Sequence, residues 1–185
     1  MESKFPSYYE ILKLLLPLGI AGIVIMFLYS TGAKSLLALI FAYALPPTMF
    51  AGRLVMLFFV PFGVVTIPQA IFGLAFVDAF YSAILAWNFD LLTKIPKFGK
   101  LVLKAEEKGY RALETYRWVK SLALLGVIIF VTVPLYGTNA IIGTIVGRLI
   151  GLKPLSTWIA TLLGSILGAL IIAIIYKLVI ISFQL

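Results

Sequence analysis

The sequence predicts an all-α integral membrane protein with three full transmembrane helices and two broken, re-entrant helical hairpins in an inverted repeat, joined by a cytoplasmic amphipathic helix. Of the 185 residues, 63% are hydrophobic and only 12% are charged, and the mean hydropathy is +1.14. A soluble domain has about 45–50% apolar and about 25% charged residues, so lipid must cover part of this chain. Long uncharged stretches surround one basic segment, and prolines interrupt two of the stretches.

Three apolar stretches are long enough to cross a bilayer, which needs about 20 apolar residues. The first predicted helix covers about Leu14–Ser30, and it spans if Lys13 extends its amine to the interface. Pro17 predicts a tilt or a bend in this helix. The other two predicted spans cover Gln69–Phe89 and Ser156–Tyr176. No small-residue cleavage site stands out after the first stretch, so we expect it to be retained as a membrane segment.

Two further apolar stretches contain prolines that should break their helices, because proline lacks a backbone donor and clashes with the preceding turn. The stretch Ser35–Val60 contains Pro46 and Pro47, and the stretch Ser121–Leu152 contains Pro134. In hydrocarbon, the freed backbone groups survive only inside protein or beside water. Each stretch is therefore predicted to form two half-helices around a re-entrant turn. The alternative is a single kinked helix that crosses the membrane.

The turn predicted in the second stretch carries polar residues at membrane depth. Gly137 is followed directly by Thr138 and Asn139. The ends of half-helices at such a turn present unpaired amide groups and dipoles that attract ions. Thr138 and Asn139 are therefore candidate substrate contacts. The alternative is that they only cap the returning half-helix.

The long polar region of the chain lies between residues 90 and 120. After Asp90 it contains eight basic and three acidic residues, a net charge of +5. Because basic loops stay in the cytoplasm, we expect this region on the cytoplasmic side of the plasma membrane. The chain is expected to cross that membrane several times. Apolar residues between Phe98 and Tyr116 recur at helical spacing beside a basic stripe. Residues 97–117 are thus predicted to lie as an amphipathic helix on the anionic inner leaflet, and no nucleic-acid partner is expected.

A weak internal repeat relates the two halves of the chain. Each half has a broken stretch, an arginine and then a clean span, and Gly52-Arg53-Leu54-Val55 matches Gly147-Arg148-Leu149-Ile150. With the basic region inside, the two clean spans run in opposite directions, as an inverted repeat requires. Two re-entrant turns then place the N-terminus inside and the C-terminus outside. The chain is predicted to be a single membrane domain, with half one at 14–89, a linker at 90–120 and half two at 121–185.

Three charged residues within the apolar stretches are candidates for function: Arg53, Asp78 and Arg148. A charge near the bilayer centre costs at least about 2.5–3.5 kcal/mol, so such residues usually face protein or water. The arginines are candidates for an anion or phosphate clamp, since guanidinium binds oxyanions bidentately. Alternatively, they reach the interface or form structural pairs. Asp78 is a candidate proton carrier, and the alternative is a fixed ion pair with Arg53 or Arg148.

Glycines recur every four residues in two places, at Gly143, Gly147 and Gly151 and again at Gly164 and Gly168. This spacing lets helices approach closely in lipid. We expect these glycines to pack helices within one chain or across a homodimer.

The sequence contains no cysteine and no histidine. Thiolate chemistry, imidazole relays and nearly all structural zinc sites are thereby excluded. Only one acidic residue lies inside a predicted span. No catalytic residue, metal or cofactor is therefore predicted, and an enzyme is not expected.

The stretch Phe130–Leu152, with its turn at Pro134–Asn139 and its glycine-rich helix, resembles the small multidrug export protein family. The stretch Asp78–Gly99 is similar to archaeal members, and the resemblance extends from about Tyr43 onward. Bacterial relatives often carry an acidic residue and an arginine just before the first proline, where this chain has Tyr43-Ala44-Leu45. The family in turn resembles the DedA membrane proteins, for which paired re-entrant hairpins and lipid-carrier translocation are expected.

Together, the residues and the resemblance predict a small membrane transporter that exports or translocates amphipathic or anionic small molecules or lipid carriers. The predicted substrate contacts, in a cavity where the broken stretches meet, are Arg53, Asp78, Thr138, Asn139 and Arg148. The alternative is a non-catalytic membrane subunit or assembly protein that holds partners with its glycine faces and its basic helix.

Overall fold

The computed structural model describes residues 8–45, 52–89, 117–133 and 139–184, and every regular element within these ranges is helical. The all-α prediction is therefore confirmed for the described residues. The elements are α1 (Tyr8–Ser30), α2 (Lys34–Ala44), a 3-10 helix (Gly52–Phe58), α3 (Ile67–Trp87), α4 (Arg117–Thr132), α5 (Ala140–Leu149) and α6 (Pro154–Gln184).

Three of these helices are long and apolar enough to cross a membrane. The segments that meet these criteria are Ile11–Ser30 in α1, Ile67–Trp87 in α3 and Pro154–Ile180 in α6. The prediction of three spans is thus confirmed, with differences at the ends. α6 continues beyond its predicted end at Tyr176, because Lys177 near the helix end can extend its amine to the interface while its stem stays in lipid.

α3 begins two residues earlier than predicted, and a capping box explains its start. The Gln69 N–H donates to Thr66 Oγ1 at 3.4 Å, and the Thr66 N–H donates to Gln69 Oε1 at 2.9 Å. Pro68 occupies the first turn, where a missing N–H removes no helical hydrogen bond. With this start, Asp78 lies near the middle of the span.

The described part of each proline-containing stretch contains two helices that are too short to span alone. α2 and the 3-10 helix have 11 and 7 residues, and α4 and α5 have 16 and 10 residues. A full span needs about 20 residues. α2 contacts the 3-10 helix, and α4 contacts α5. The predicted turn residues Pro46, Pro47, Pro134 and Gly137 lie outside the described ranges, so the re-entrant course and the inverted repeat stay predictions.

α3 and α6 pack against each other at the centre of the helices. An apolar cluster joins α2, the 3-10 helix and α3 to α6 at Ala169, Ile172 and Ala173. A second cluster joins α4 to Ala160 of α6 and to Leu152 just before it. α5 contacts both central helices. The two central helices therefore face both broken stretches, and polar residues on their facing sides can reach either one.

α1 lies at the side of this arrangement, where it contacts α2 and α3. It continues through Pro17 as one helix and ends before Gly32, whose φ of +75° reverses the chain. Only 11% of its apolar window is buried inside the protein. Most of α1 is therefore available to lipid.

Most of the basic region lies outside the described residues, which resume at Arg117. α4 begins there, four residues before the predicted start of half two at Ser121, so the end of the predicted linker is helical. The amphipathic helix predicted for residues 97–117 otherwise falls outside the described part of the chain.

Candidate functional site

A buried ion pair joins the 3-10 helix to the middle of α3. Arg53 Nη2 lies 3.1 Å from Asp78 Oδ2, and the two residues are only 4% and 3% exposed. Isolated buried charges are rare because their desolvation is costly, and a counter-ion with further hydrogen bonds offsets that cost. Of the two ion pairs that the sequence left open for Asp78, the structure has the one with Arg53.

The Asp78 carboxylate accepts hydrogen bonds from two further helices. The Tyr43 hydroxyl of α2 donates to Oδ1 at 2.8 Å, and the Ser165 hydroxyl of α6 donates to Oδ2 at 2.5 Å. Tyr43 and Ser165 are both buried. Hydrogen bonds to an ionised acceptor are shorter and stronger than neutral ones. Asp78 is therefore the centre at which four helical elements meet.

Arg53 also reaches the second broken stretch. Its Nη1 donates to the Val131 carbonyl oxygen at 2.6 Å. This carbonyl belongs to the last turn of α4, where carbonyl groups lack helical partners and the helix dipole is negative. A cation at this position supplies a donor to the unpaired carbonyl and lies at the negative end of the helix dipole. One guanidinium thus connects the 3-10 helix of the first stretch, Asp78 of α3 and the end of a half-helix in the second stretch.

A glycine of α6 makes room for this arginine. A Cβ atom on Gly168 would lie 2.7 Å from the Thr132 carbonyl oxygen and 3.1 Å from Arg53 Nη1. Side chains do not tolerate a contact of 2.7 Å with rigid backbone. Gly168 therefore allows α6 to touch both the end of α4 and the arginine that caps it.

A small cavity adjoins Asp78 on the side of the second stretch. It has a volume of about 10 Å³ and is lined by Tyr43, Asp78, Tyr81, Asn139 and Ile141. That volume is about what one water molecule requires. Asn139 caps α5, since its Oδ1 accepts from the Ile142 N–H at 3.0 Å. Asn139 therefore caps α5, as one of the predictions has it, and also lines the cavity beside Asp78.

A cluster of hydroxyl groups lies one helical turn away from Asp78 and Ser165. Ser82 Oγ of α3 is 2.6 Å from Thr161 Oγ1 of α6, and Thr144 Oγ1 of α5 donates to Ser82 Oγ at 2.8 Å. All three side chains are fully buried. Residues four apart share one face of a helix, so this cluster and the ion pair form one polar seam along the contact of α3 with α6.

Arg148 lies elsewhere. Its Nη1 donates to the Leu152 carbonyl oxygen at 2.7 Å, and its guanidinium carbon is 5.2 Å from the centre of the Phe89 ring. Asn139 and Arg148 stand at opposite ends of α5, about 14 Å apart along the helix axis. The structure thus brings together Arg53, Asp78 and Asn139 and gives Arg148 different neighbours. Thr138 falls outside the described residues.

The glycines of the two repeats have different surroundings. A Cβ on Gly147 would lie 2.7 Å from the Thr157 methyl group, and one on Gly164 would lie 2.7 Å from the Ile128 carbonyl oxygen. Gly143 stands against Val131 and Thr161 in the same way. Gly151, by contrast, follows the end of α5 with a φ of +88°, so it forms a turn rather than a packing face.

Sequence reasoning missed the hydroxyl groups that complete this site. Tyr43 was noted only as part of a segment that lacks the charges of bacterial relatives. Thr157, Thr161 and Ser165 stand four residues apart in the predicted span Ser156–Tyr176, and this spacing was the available signal. A polar stripe on one face of a spanning helix indicates contact with other polar groups, although it does not name them.

Comparison with known proteins adds a family to this geometry. A family model described as "Putative small multi-drug export protein" matches residues 16–172. The matched range includes every residue of the site described above. No curated protein and no solved structure matches the chain.

Proposed function

The chain belongs to the small multi-drug export protein family, which is an export family and not an enzyme family, and from this premise we propose that it is an exporter whose transport site is the buried group around Arg53 and Asp78. We propose amphipathic or anionic small molecules, or lipid carriers, as its substrates. The observation that carries this proposal is the position of Arg53. This residue belongs to the first broken stretch, and its guanidinium donates to the Val131 carbonyl oxygen of the second stretch and to the Asp78 carboxylate in the middle of a span.

An anionic substrate group can compete with Asp78 for this guanidinium. Nε of Arg53 is buried and has no hydrogen-bond partner among the described residues, so one donor remains for such a group. If the substrate displaces the carboxylate, Asp78 still accepts from Tyr43 and Ser165. Arg53 and Asp78 would then each have partners both before and after the substrate binds, which offsets the cost of burying their charges.

The site must open for transport. The cavity beside Asp78 holds about one water molecule, and an organic substrate needs a pocket of about 300–1,000 Å³. The groups that close the site belong to α2, the 3-10 helix and the start of α5, which flank the two predicted turns. We propose that movement of these short helices against α3 and α6 admits the substrate. Thr138 and Arg148 remain candidate contacts along its route.

We further propose that both broken stretches are re-entrant and related by an inverted repeat, as expected of the DedA proteins, and that the chain is an archaeal-type member of its family. The four short helices, and the contact within each pair, support this course. The single domain then consists of halves at 14–89 and 121–185, with the basic linker in the cytoplasm beside the plasma membrane. The predicted helix at 97–117 would bind anionic lipid there.

Cysteine labelling tests this topology, because the natural chain contains no cysteine. Single cysteines at Lys34 and Phe62 should react with an impermeant maleimide from outside the cell. Single cysteines at Ser121 and Lys153 should react only after the membrane is permeabilised. Labelling of Lys34 and Phe62 from opposite sides would show that the first stretch crosses the membrane.

Transport by purified protein in liposomes tests the site. The probes are a fluorescent phosphatidylglycerol, the anionic dye carboxyfluorescein and the cationic dye ethidium. The variant Arg53→Gln/Asp78→Asn should reduce export of the transported probe by about 10–100-fold, because it removes charge-assisted hydrogen bonds of about 1.5–3 kcal/mol. Arg148→Gln measures whether that arginine contributes, and Lys153→Gln is the matched control.

The double variant removes both charges together, so it leaves no unpaired ion that could unfold the site. If it exports the probe as fast as the native chain, the pair is structural and the proposed site is wrong. If none of the three probes moves in the native chain, and a protein partner copurifies with it in fixed proportion, the chain is better described as a subunit of a larger assembly.

A further inference from the structure

A lateral groove of about 490 Å³ lies between α1 and α3, where the first residues of α6 form one of its walls. No residue of the Arg53–Asp78 group lines it. Its lining is apolar except for Lys13. The volume falls within the range of about 300–1,000 Å³ that is typical of small-molecule sites. The proposed export site therefore does not explain this groove.

The charged residue lies at one end of the groove. Leu28, near the end of α1, shares an apolar cluster with Leu74 in the first half of α3, so the two helices run in opposite directions. Lys13 therefore lies toward the Trp87 end of α3, and Ala21 lies toward the middle of the span. The eight helical steps from Lys13 to Ala21 correspond to about 12 Å, a little under half of a hydrocarbon core of about 30 Å.

Two tryptophans form the wall at the same end. The rings of Trp87 and Trp158 meet edge to face with their centres 6.4 Å apart, and Trp158 Nε1 donates to the Ala79 carbonyl oxygen at 3.0 Å. Tryptophan is enriched where a membrane protein meets the headgroup layer. The charged end of the groove thus belongs at an interface, and its apolar part extends toward the bilayer centre.

We propose that this groove binds one acyl chain of an anionic phospholipid, with the lipid phosphate at Lys13. The apolar part of the groove extends from Lys13 toward the bilayer centre, so it fits a hydrocarbon chain that enters sideways from the leaflet. The positive charge at its mouth favours an anionic headgroup over a zwitterionic one. In the sequence, the Trp87 end of α3 is followed by residues 91–120, whose net charge of +5 favours anionic lipid.

Quenching of tryptophan by brominated lipids tests this proposal in the full chain. The variant Trp118→Phe leaves Trp87 and Trp158 as the two tryptophans. The protein is placed in phosphatidylcholine vesicles, and the mole fraction of brominated lipid that gives half-maximal quenching is measured. Brominated phosphatidylglycerol should need about one fifth of the mole fraction that brominated phosphatidylcholine needs. This is the factor expected for one basic residue near the membrane surface.

Two further variants identify the groove as the place of binding. Lys13→Gln should bring the two lipids to equal half-maximal mole fractions, whereas Lys34→Gln, the same change beyond the other end of α1, should keep the fivefold difference. Ala83→Phe should fill the groove and weaken quenching by both lipids. The proposal is overturned by equal quenching in the Trp118→Phe protein, by a difference that survives Lys13→Gln, or by quenching that Ala83→Phe leaves unchanged.

Discussion

Replacing Asp78 by asparagine should destabilise the folded protein by about 3–5 kcal/mol, because the change leaves the Arg53 guanidinium buried without its counter-ion. The two residues are almost fully buried, and Nη2 lies 3.1 Å from Oδ2. The change also weakens the hydrogen bonds that Tyr43 and Ser165 donate, since a neutral acceptor forms weaker bonds than a carboxylate. Unfolding by dodecyl sulfate in mixed micelles, followed by circular dichroism, measures this loss.

The variant Arg53→Gln/Asp78→Asn is the matched comparison. Replacement of a whole buried ion pair is often close to neutral, so the double variant should be clearly more stable than Asp78→Asn alone. Ser82→Ala, one turn further along α3, should cost only about 1 kcal/mol, because it removes neutral hydrogen bonds. An Asp78→Asn protein as stable as the native one would contradict the assignment of a buried, charged pair at this position.

The sequence predicts the spans well because they depend on local composition. A strongly apolar stretch of about 20 residues has few alternatives to crossing a membrane, and the three long helices appear where such stretches occur. The ends are less certain, since caps and side-chain reach decide them. Thr66 and Gln69 start α3 earlier than hydropathy indicates, and Lys177 does not end α6.

The site could be predicted only in part, because its contacts join residues far apart in the chain. Arg53 and Asp78 were predicted as functional from the rarity of charges in apolar stretches. Which arginine pairs with Asp78 depends on how α2, the 3-10 helix and α3 pack, and the local sequence does not specify that packing. The contact of Arg53 with the Val131 carbonyl could not be predicted for the same reason. A backbone acceptor at the end of a half-helix is not visible in the pattern of side chains.

The glycine repeats also show that the local sequence does not fix the role of a residue. Gly143, Gly147 and Gly151 form one regular series in the sequence, but α5 ends at Leu149. The Gly151 N–H donates to the Arg148 carbonyl and the Leu152 N–H to that of Gly147, both at 3.0 Å, which is the pattern of a Schellman turn. A glycine that ends a helix cannot be separated from one that packs a helix by spacing alone.

Replacing Gly168 by alanine should destabilise the protein by about 1–3 kcal/mol and impair export as well, because it overpacks the contact that positions Arg53. The new methyl group would lie 2.7 Å from the Thr132 carbonyl oxygen and 3.1 Å from Arg53 Nη1. The carbonyl is rigid backbone, so α6 must move away from α4. That movement would lengthen the hydrogen bond from Arg53 to the Val131 carbonyl oxygen, on which the proposed transport site depends.

Gly126→Ala in α4 is the control for this prediction, since a Cβ at Gly126 meets nothing within 4 Å. Alanine is the better helix former by about 1 kcal/mol, so Gly126→Ala should be neutral or stabilising. The comparison separates steric conflict from helix propensity, because both changes add the same methyl group to a helix. Equal stability and equal export rates for the two variants would mean that α6 does not approach the Arg53 guanidinium as closely as these distances require.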